Sequence, residues 1–221
     1  MTICTLVGIS RRREDRGKFI TLEGGEGVGK TTHLTFVKDY LQYNNIPVIV
    51  TREPGGTELG EKIRHLLLDA KSEALSEQAE LLLMFAARAQ HIRYIIEPAL
   101  AHGNWVLCDR FTDATYAYQG GGRNMNISTI EWLENLVQDT LKPDLTLLLD
   151  MSVETGMARA RERGGEFDRF ETEKISFFER VRQAYLLQAE FHPERIKLIK
   201  ANQPLTDVQT AIVDVIQPLL T

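Results

Sequence analysis

No stretch of the 221-residue chain comes near the roughly 20 consecutive apolar positions that a membrane-spanning helix requires. The N-terminus also lacks the order of a secretory signal. A short apolar segment, MTICTLVGIS, precedes the basic run RRRED, whereas a signal peptide places its positive charge first. Neither a membrane partner nor secretion is therefore expected. Cysteine is scarce, with only Cys4 and Cys108, and the five histidines (His33, His65, His91, His102 and His192) show no ligand-like spacing, so a structural metal is not expected. Cys108 lies in the apolar run WVLC and reads as a small buried hydrophobe, in keeping with a reducing cytosol and a cytoplasmic location. An excess of positive charge is missing too: 26 Lys and Arg stand against 31 Asp and Glu, a net charge of -5. A general nucleic-acid binder usually carries the opposite balance, so no nucleic-acid partner is expected and any bound anion must be held by local cations. The guanine-reading NKxD and the DxxG switch are absent, which excludes the switch-type GTPases.

What remains is the composition of an ordinary globular enzyme, 43% hydrophobic and 26% charged, with no repeat, low-complexity tract or linker to divide it. Residues 1–17, with Arg11, Arg12 and Arg13 beside Glu14 and Asp15, read as a disordered N-terminal extension with a solvated charge run. Residues 18–221 read as one domain. Apolar, β-branched or leucine-rich runs at 18–24, 47–53, 104–110, 144–151 and 195–201 predict five strands suited to a sheet buried on both faces. Helical patterns fall at 30–43, 57–69, 76–101, 127–141, 152–163, 170–190 and 205–219, with Pro98 expected to kink or divide the third. Alternating strands and helices predict an α/β fold, a parallel sheet covered on both faces, with ligands outside the carboxyl ends of its strands.

The run Gly24-Gly25-Glu26-Gly27-Val28-Gly29-Lys30-Thr31 matches GxxxxGK[ST], follows the first strand and opens the first long helix, with Thr32 next in line. Glycines let successive backbone N–H groups turn inward around a phosphate chain, Lys30 adds a point charge, and the Thr31 hydroxyl suits magnesium. A P-loop NTPase fold binding ATP with Mg2+ follows. Asp109 ends the third strand as a Walker B acid would, and an acid there needs such a partner. Glu26 is unexpected, since a carboxylate beside nucleotide phosphates is repelled unless it meets another ligand, such as a sugar hydroxyl. This favours a second substrate near the loop. In ARARERGGEFDRFE, Arg159 and Arg163 share a helix face while Arg161 lies elsewhere. A solvated face is one reading of those charges; the adjacent Gly164 and Gly165 favour a small lid, about 159–170, closing on phosphates.

These residues resemble the thymidylate kinase family over almost the whole chain from Lys18. EGGEGVGKTT is similar to the family P-loop, TREPGGT (51–57) to the loop after its second strand, FAARAQH (85–91) to its acceptor-site helix, DRFTDATYAYQGGGR (109–123) to its signature, and RARERGGEFDRFE to its lid. The arginine-rich lid and a P-loop without arginine resemble the bacterial type. The resemblance implies phosphoryl transfer from ATP to dTMP, giving dTDP and ADP on the way to dTTP, in a homodimer. It implies that Glu26 lies near the acceptor 3′-hydroxyl, that Pro54 lines the acceptor site, and that Arg88 and Arg110 hold its phosphate. Tyr118 would pack where a 2′-hydroxyl would sit, Gln119 and Thr115 would meet the thymine edge, and Arg159, Arg161 and Arg163 would reach the ATP phosphates. In the family a thymine-stacking phenylalanine stands four residues before the helix arginine. Here Met84 holds that position and Phe85 stands three before Arg88, about 100° away on a helix, so either residue is open as the base contact.

A phosphate monoester is already an adequate nucleophile, so transfer needs alignment and charge neutralisation by Lys30, Arg110, Arg161 and Arg163 rather than a strong base or a covalent intermediate. Loss of Lys30 or Arg88 is expected to lower turnover more than stability. The rivals are a deoxynucleoside kinase, for which a cation at Arg88 has no use, and a nucleotide-binding module without turnover.

Overall fold

The computed structural model describes residues 16–69, 74–163, 169–170 and 173–220. Nearly all of the N-terminal extension, and residues 164–168 of the lid, lie outside the described residues, as does the side chain of Arg163.

The five apolar runs form five parallel strands: β1 (Phe19–Glu23), β2 (Val48–Arg52), β3 (Trp105–Asp109), β4 (Leu145–Asp150) and β5 (Ile196–Lys200), ordered β2-β3-β1-β4-β5. All five side chains of the central β1 are buried. Its Leu22 pairs with Asp109 on one side and Leu147 on the other, so the chain reverses winding direction at the carboxyl end of β1, where open α/β sheets bind ligands.

Strand alternation sends Ile20, Leu22, Leu107, Leu147 and Leu149 to one face, against Val37 and Leu41 of α1 (Lys30–Tyr43) and Val208 and Ile212 of a C-terminal helix, Leu205–Ile216. Phe19, Val106 and Cys108 turn to the other face and meet Ile96 and Leu100. Leu148 meets Phe178, Val181 and Tyr185. Burial on both faces, expected for every strand, holds for the central ones. On the edge strands Ile49, Val50 and Leu198 are exposed.

Between β2 and β3 run α2 (Glu58–Leu68), α3 (Glu77–His91) and α4 (Glu97–Ala101). Thr57 and Ser76 cap α2 and α3 through their hydroxyls. The interruption expected at Pro98 sits one turn earlier. Residues Ile92–Ile96 form a π-helical turn, and Pro98 falls in the first turn of α4, where its missing N–H costs little. After β3 come α5 (Thr112–Thr115), a π-helical turn at Tyr116–Gly122 and α6 (Ile127–Gln138); after β4 come α7 (Val153–Arg163) and α8 (Ile175–Phe191), and the C-terminal helix is α9. The α5 and π-turn segment was not resolved by sequence periodicity, and α8 begins five residues later than the pattern at 170–190. Such π-turns recur at functional sites.

Candidate active site

The P-loop joins β1 to α1. Gly27 has φ 69°, and a Cβ there would stand 1.9 Å from the carbonyl oxygen of Gly156 in α7, so only glycine permits this approach. Gly29 precedes α1 in a left-handed conformation, and neither a capping side chain nor a first-turn acid covers the helix start. The opening N–H groups of Lys30, Thr31 and Thr32 therefore form an anion site. Lys30 Nζ donates to the carbonyls of Gly24 (3.1 Å) and Gly25 (2.7 Å). Burial and the nearby Arg110 guanidinium push its pKa down from 10.5 to about 8.

A cavity of about 400 Å3 opens from this loop across the ends of β1 and β3. Of the expected residues, Glu26 to Thr32, Pro54, Arg88, Asp109, Arg110, Thr115, Tyr118, Gln119 and Arg159 line it. Gly24 and Gly25 lie beneath, holding Lys30. Arg161 is exposed and away from the lining. Met84 and Phe85, both open as the base contact, take different places. Met84 lines the cavity, whereas Phe85 is buried against Leu81, Ile130 and Leu133, its ring 4.9 Å from the Arg88 guanidinium carbon. Because α3 is regular across both residues, the two cannot share a direction, and packing against α6 takes Phe85.

Arg88 is the buried cation of the cavity, 2% exposed. Its Nε donates to Glu53 Oε2 at 2.7 Å, and Nη2 donates to Phe111 O (3.2 Å) and Thr115 Oγ1 (3.0 Å). Nη1, also buried, has no partner among the described residues. Glu53 is held in turn by His91 Nδ1 at 2.9 Å, and His91 Nε2 lies 2.7 Å from Thr51 Oγ1. Burial would raise the Glu53 carboxyl, but Arg88 and His91 outweigh it and keep the pKa below its ordinary value.

Arg110 links the two ends of the cavity. Its φ of 67° lies in the region that non-glycine residues rarely adopt. The conformation is held where Arg110 N donates to Leu22 O and Phe111 N to Glu23 Oε1, at 2.9 and 2.7 Å. Nη2 donates to Glu26 Oε1 at 2.6 Å and Nη1 to Tyr185 Oη at 3.2 Å. Tyr118 Oη donates to the same Glu26 oxygen at 2.7 Å while its ring lies under the guanidinium at 4.7 Å. Tyr185 donates to Glu23 Oε2 at 2.8 Å. Burial and the charge of Asp113 raise the Glu23 pKa from 4.5 to about 8, against the opposing pull of Arg110.

Asp109 Oδ1 is buried beside the P-loop without a partner among the described residues, so a cation at Asp109 and the Thr31 hydroxyl fits an observed need. Among the described residues no group of three His, Cys, Asp or Glu side chains could hold a metal by itself; a nucleotide-borne ion fits this sparse donor set. Cys108 is fully buried and burial raises its thiol pKa, in line with packing rather than reactivity.

The sequence reading missed Glu53, Arg64, Phe111 and Phe170 in the cavity wall. Glu53 lay within the quoted TREPGGT run and Phe170 within the lid run, so their motifs, though not their roles, were visible.

A family model for thymidylate kinase matches residues 22–212, spanning the P-loop, Arg88 and Arg110. The chain belongs to the thymidylate kinase family. It is 57% identical over 196 residues to a thymidylate kinase of Teredinibacter turnerae, covering 89% of this chain and 95% of that one. It is 59% identical over 197 residues to one of Chromohalobacter salexigens, covering 89% and 93%. The crystal structure of thymidylate kinase from Ehrlichia chaffeensis superposes with a TM-score of 0.74 at 35% identity, covering 91% of this chain and 99% of that one. The fold is thus that of a P-loop kinase, as its motif and strand order imply. No helix among the described residues is long and apolar enough to cross a membrane.

Proposed function

We infer that the protein is an ATP-dependent thymidylate kinase, transferring the terminal phosphoryl group of ATP to dTMP to give dTDP and ADP. The observation that carries this reading is Arg88 in the cavity wall, with Nη1 buried and unpaired among the described residues. A buried guanidinium edge costs stability unless an anion completes it, and an acceptor phosphate supplies one. A neutral nucleoside could meet that edge only with a base carbonyl, which brings no charge to match the guanidinium. An ADP-release assay with dTMP, thymidine and dCMP tests the assignment: dTMP is used best, and preferential use of thymidine refutes it. Nucleotide binding without ADP production would revive the non-catalytic reading.

In this reading the P-loop amides and Lys30 take the ATP phosphates, with Arg159, Arg161 and Arg163 reaching them from the lid. Arg88 and Arg110 take the acceptor phosphate. Glu26 lies near the acceptor 3′-hydroxyl, Tyr118 packs against the sugar, and Pro54 and Met84 line the base side, with Thr115 and Gln119 at the base edge. Support comes from the shared cavity and from the Glu26, Arg110 and Tyr118 contacts. No base is needed to activate a phosphate monoester, so the work of the site is alignment and neutralisation. Thr31 and Asp109 would hold Mg2+, which neutralises charge on the ATP phosphates when bound.

Residues 18–221 act as one domain in this reading, in the cytoplasm, where a free buried thiol such as Cys108 is at home. Two copies pair through α2, α3 and α6. The support is the exposed apolar side chains Leu59, Leu66, Leu82, Trp132 and Leu136 on helices that pack side by side. Trp132→Glu is expected to shift sedimentation from dimer to monomer, and an unchanged mass would count against this interface.

A further inference from the structure

We propose that Glu80 is a positioning residue that sets base selectivity by fixing the orientation of the Gln119 side-chain amide. The proposal rests on the reading that the cavity takes a pyrimidine nucleoside monophosphate. Glu80 lies in the first turn of α3 and is 1% exposed. Gln119 Nε2 donates to its Oε1 at 2.8 Å. Arg169 Nη2 donates to Oε2 at 2.5 Å, and Arg123 makes longer contacts to both oxygens, 3.5 Å from Nε and 3.4 Å from Nη2. The two arginines are themselves seated on aromatic rings, Arg169 on Phe170 (4.6 Å) and Arg123 on Phe177 (4.9 Å), and Phe170 walls the cavity.

The chemistry follows from the donor inventory. An ionised carboxylate only accepts hydrogen bonds, so it can be satisfied by the NH2 end of the glutamine amide and not by its carbonyl. Two guanidinium groups face the Glu80 carboxylate at once, so every group that meets its oxygens there is a donor. Gln119 lines the cavity, and its side-chain carbonyl oxygen receives no hydrogen bond from any described residue. With its NH2 committed to Glu80, Gln119 can offer the acceptor base only an acceptor. Thymine and uracil carry an N–H at ring position 3 that matches it. Cytosine carries a lone pair there and is mismatched, and mismatched polar groups in a closed site discriminate strongly. A glutamine or protonated acid at position 80 could donate instead, and the amide would be free to turn over.

The test uses the full-length Glu80→Gln variant, with kcat/KM measured for dTMP, dUMP and dCMP and KM for ATP. The expected result is a fall of roughly tenfold or more in the dTMP to dCMP ratio. The dUMP to dTMP ratio and the KM for ATP should stay near their wild-type values. Equal losses on dTMP and dCMP, leaving the ratio unchanged, overturn the proposal while leaving the kinase assignment standing. A wild-type enzyme that turns over neither dTMP nor dUMP overturns both. If the variant does not fold, neutron diffraction from wild-type crystals holding dTMP decides: two deuterons on the Gln119 atom facing Glu80 support the lock, and deuterons facing the base overturn it.

Discussion

Lys30 gives the most quantitative expectation. Its pKa is pushed from 10.5 to about 8 by burial and by the Arg110 guanidinium, which together outweigh the opposing pull of Glu26, Asp109 and Glu23. The charged form is therefore disfavoured, and that penalty disappears either by deprotonation above about pH 8 or by the binding of a phosphate chain. At pH 9 only about one tenth of the free enzyme would hold the ammonium, and each further unit removes about another tenfold. Since kcat/KM reports the free enzyme and kcat the ternary complex, kcat/KM for ATP should fall about tenfold per pH unit above about 8. With ATP bound, kcat should hold to higher pH. From pH 6 to 10 at constant ionic strength, kcat/KM for ATP at a low fixed dTMP concentration and kcat with both substrates saturating give the two limbs. Glu23 titrates in the same range, so Glu23→Gln serves as the control, and the ATP limb should survive in it. A kcat/KM for ATP that stays flat to pH 10, or falls in step with kcat, refutes the assignment of the limb to Lys30.

Arg88 is expected to matter to stability as well as to turnover. Arg88→Met leaves Glu53 buried with His91 alone, and breaking a buried pair costs about 3–5 kcal/mol; urea unfolding should show this loss, and Glu53→Gln in the same chain should recover part of it. Protonated Glu23 contributes stability that is full below its ordinary pKa of 4.5 and lost as pH rises towards about 8. Unfolding free energy should therefore decline over that window, by at most about 1.4 kcal/mol per pH unit from this group, and Glu23→Gln should flatten the decline. Met84→Ala should raise KM for dTMP with little change in melting temperature. Phe85→Ala should cost about 3–5 kcal/mol of stability, because its ring fills the gap between α3 and α6.

The parts legible in the sequence are those encoded by neighbouring residues. Glycine, lysine and threonine spacing specifies the phosphate loop within eight positions of chain, and β-branched runs mark all five strands to within a residue of their ends. What escaped depends on distant segments meeting. Tyr185 reaches Glu23 across 162 residues and Arg169 reaches Glu80 across 89, and no local pattern records either pairing. Phe85 shows the intermediate case: helical phase said that Phe85 and Met84 must diverge, but only the position of α6 decided which one turned inward.

The same contacts explain how a chain of net charge -5 can bind two polyanions. Three cations of the cavity are each held on one side by a group of the protein: Arg88 by Glu53, Arg110 by Glu26 and Tyr185, Lys30 by the P-loop carbonyls. These partners fix the geometry before a ligand arrives, which lowers the ordering cost of binding, and they offset mutual repulsion among three cations in a confined space. Surplus surface basicity would raise encounter rates with any polyanion. Positive charge gathered in a cavity of about 400 Å3, within a chain of net charge -5, instead favours anions small enough to enter, which is the size of a nucleotide.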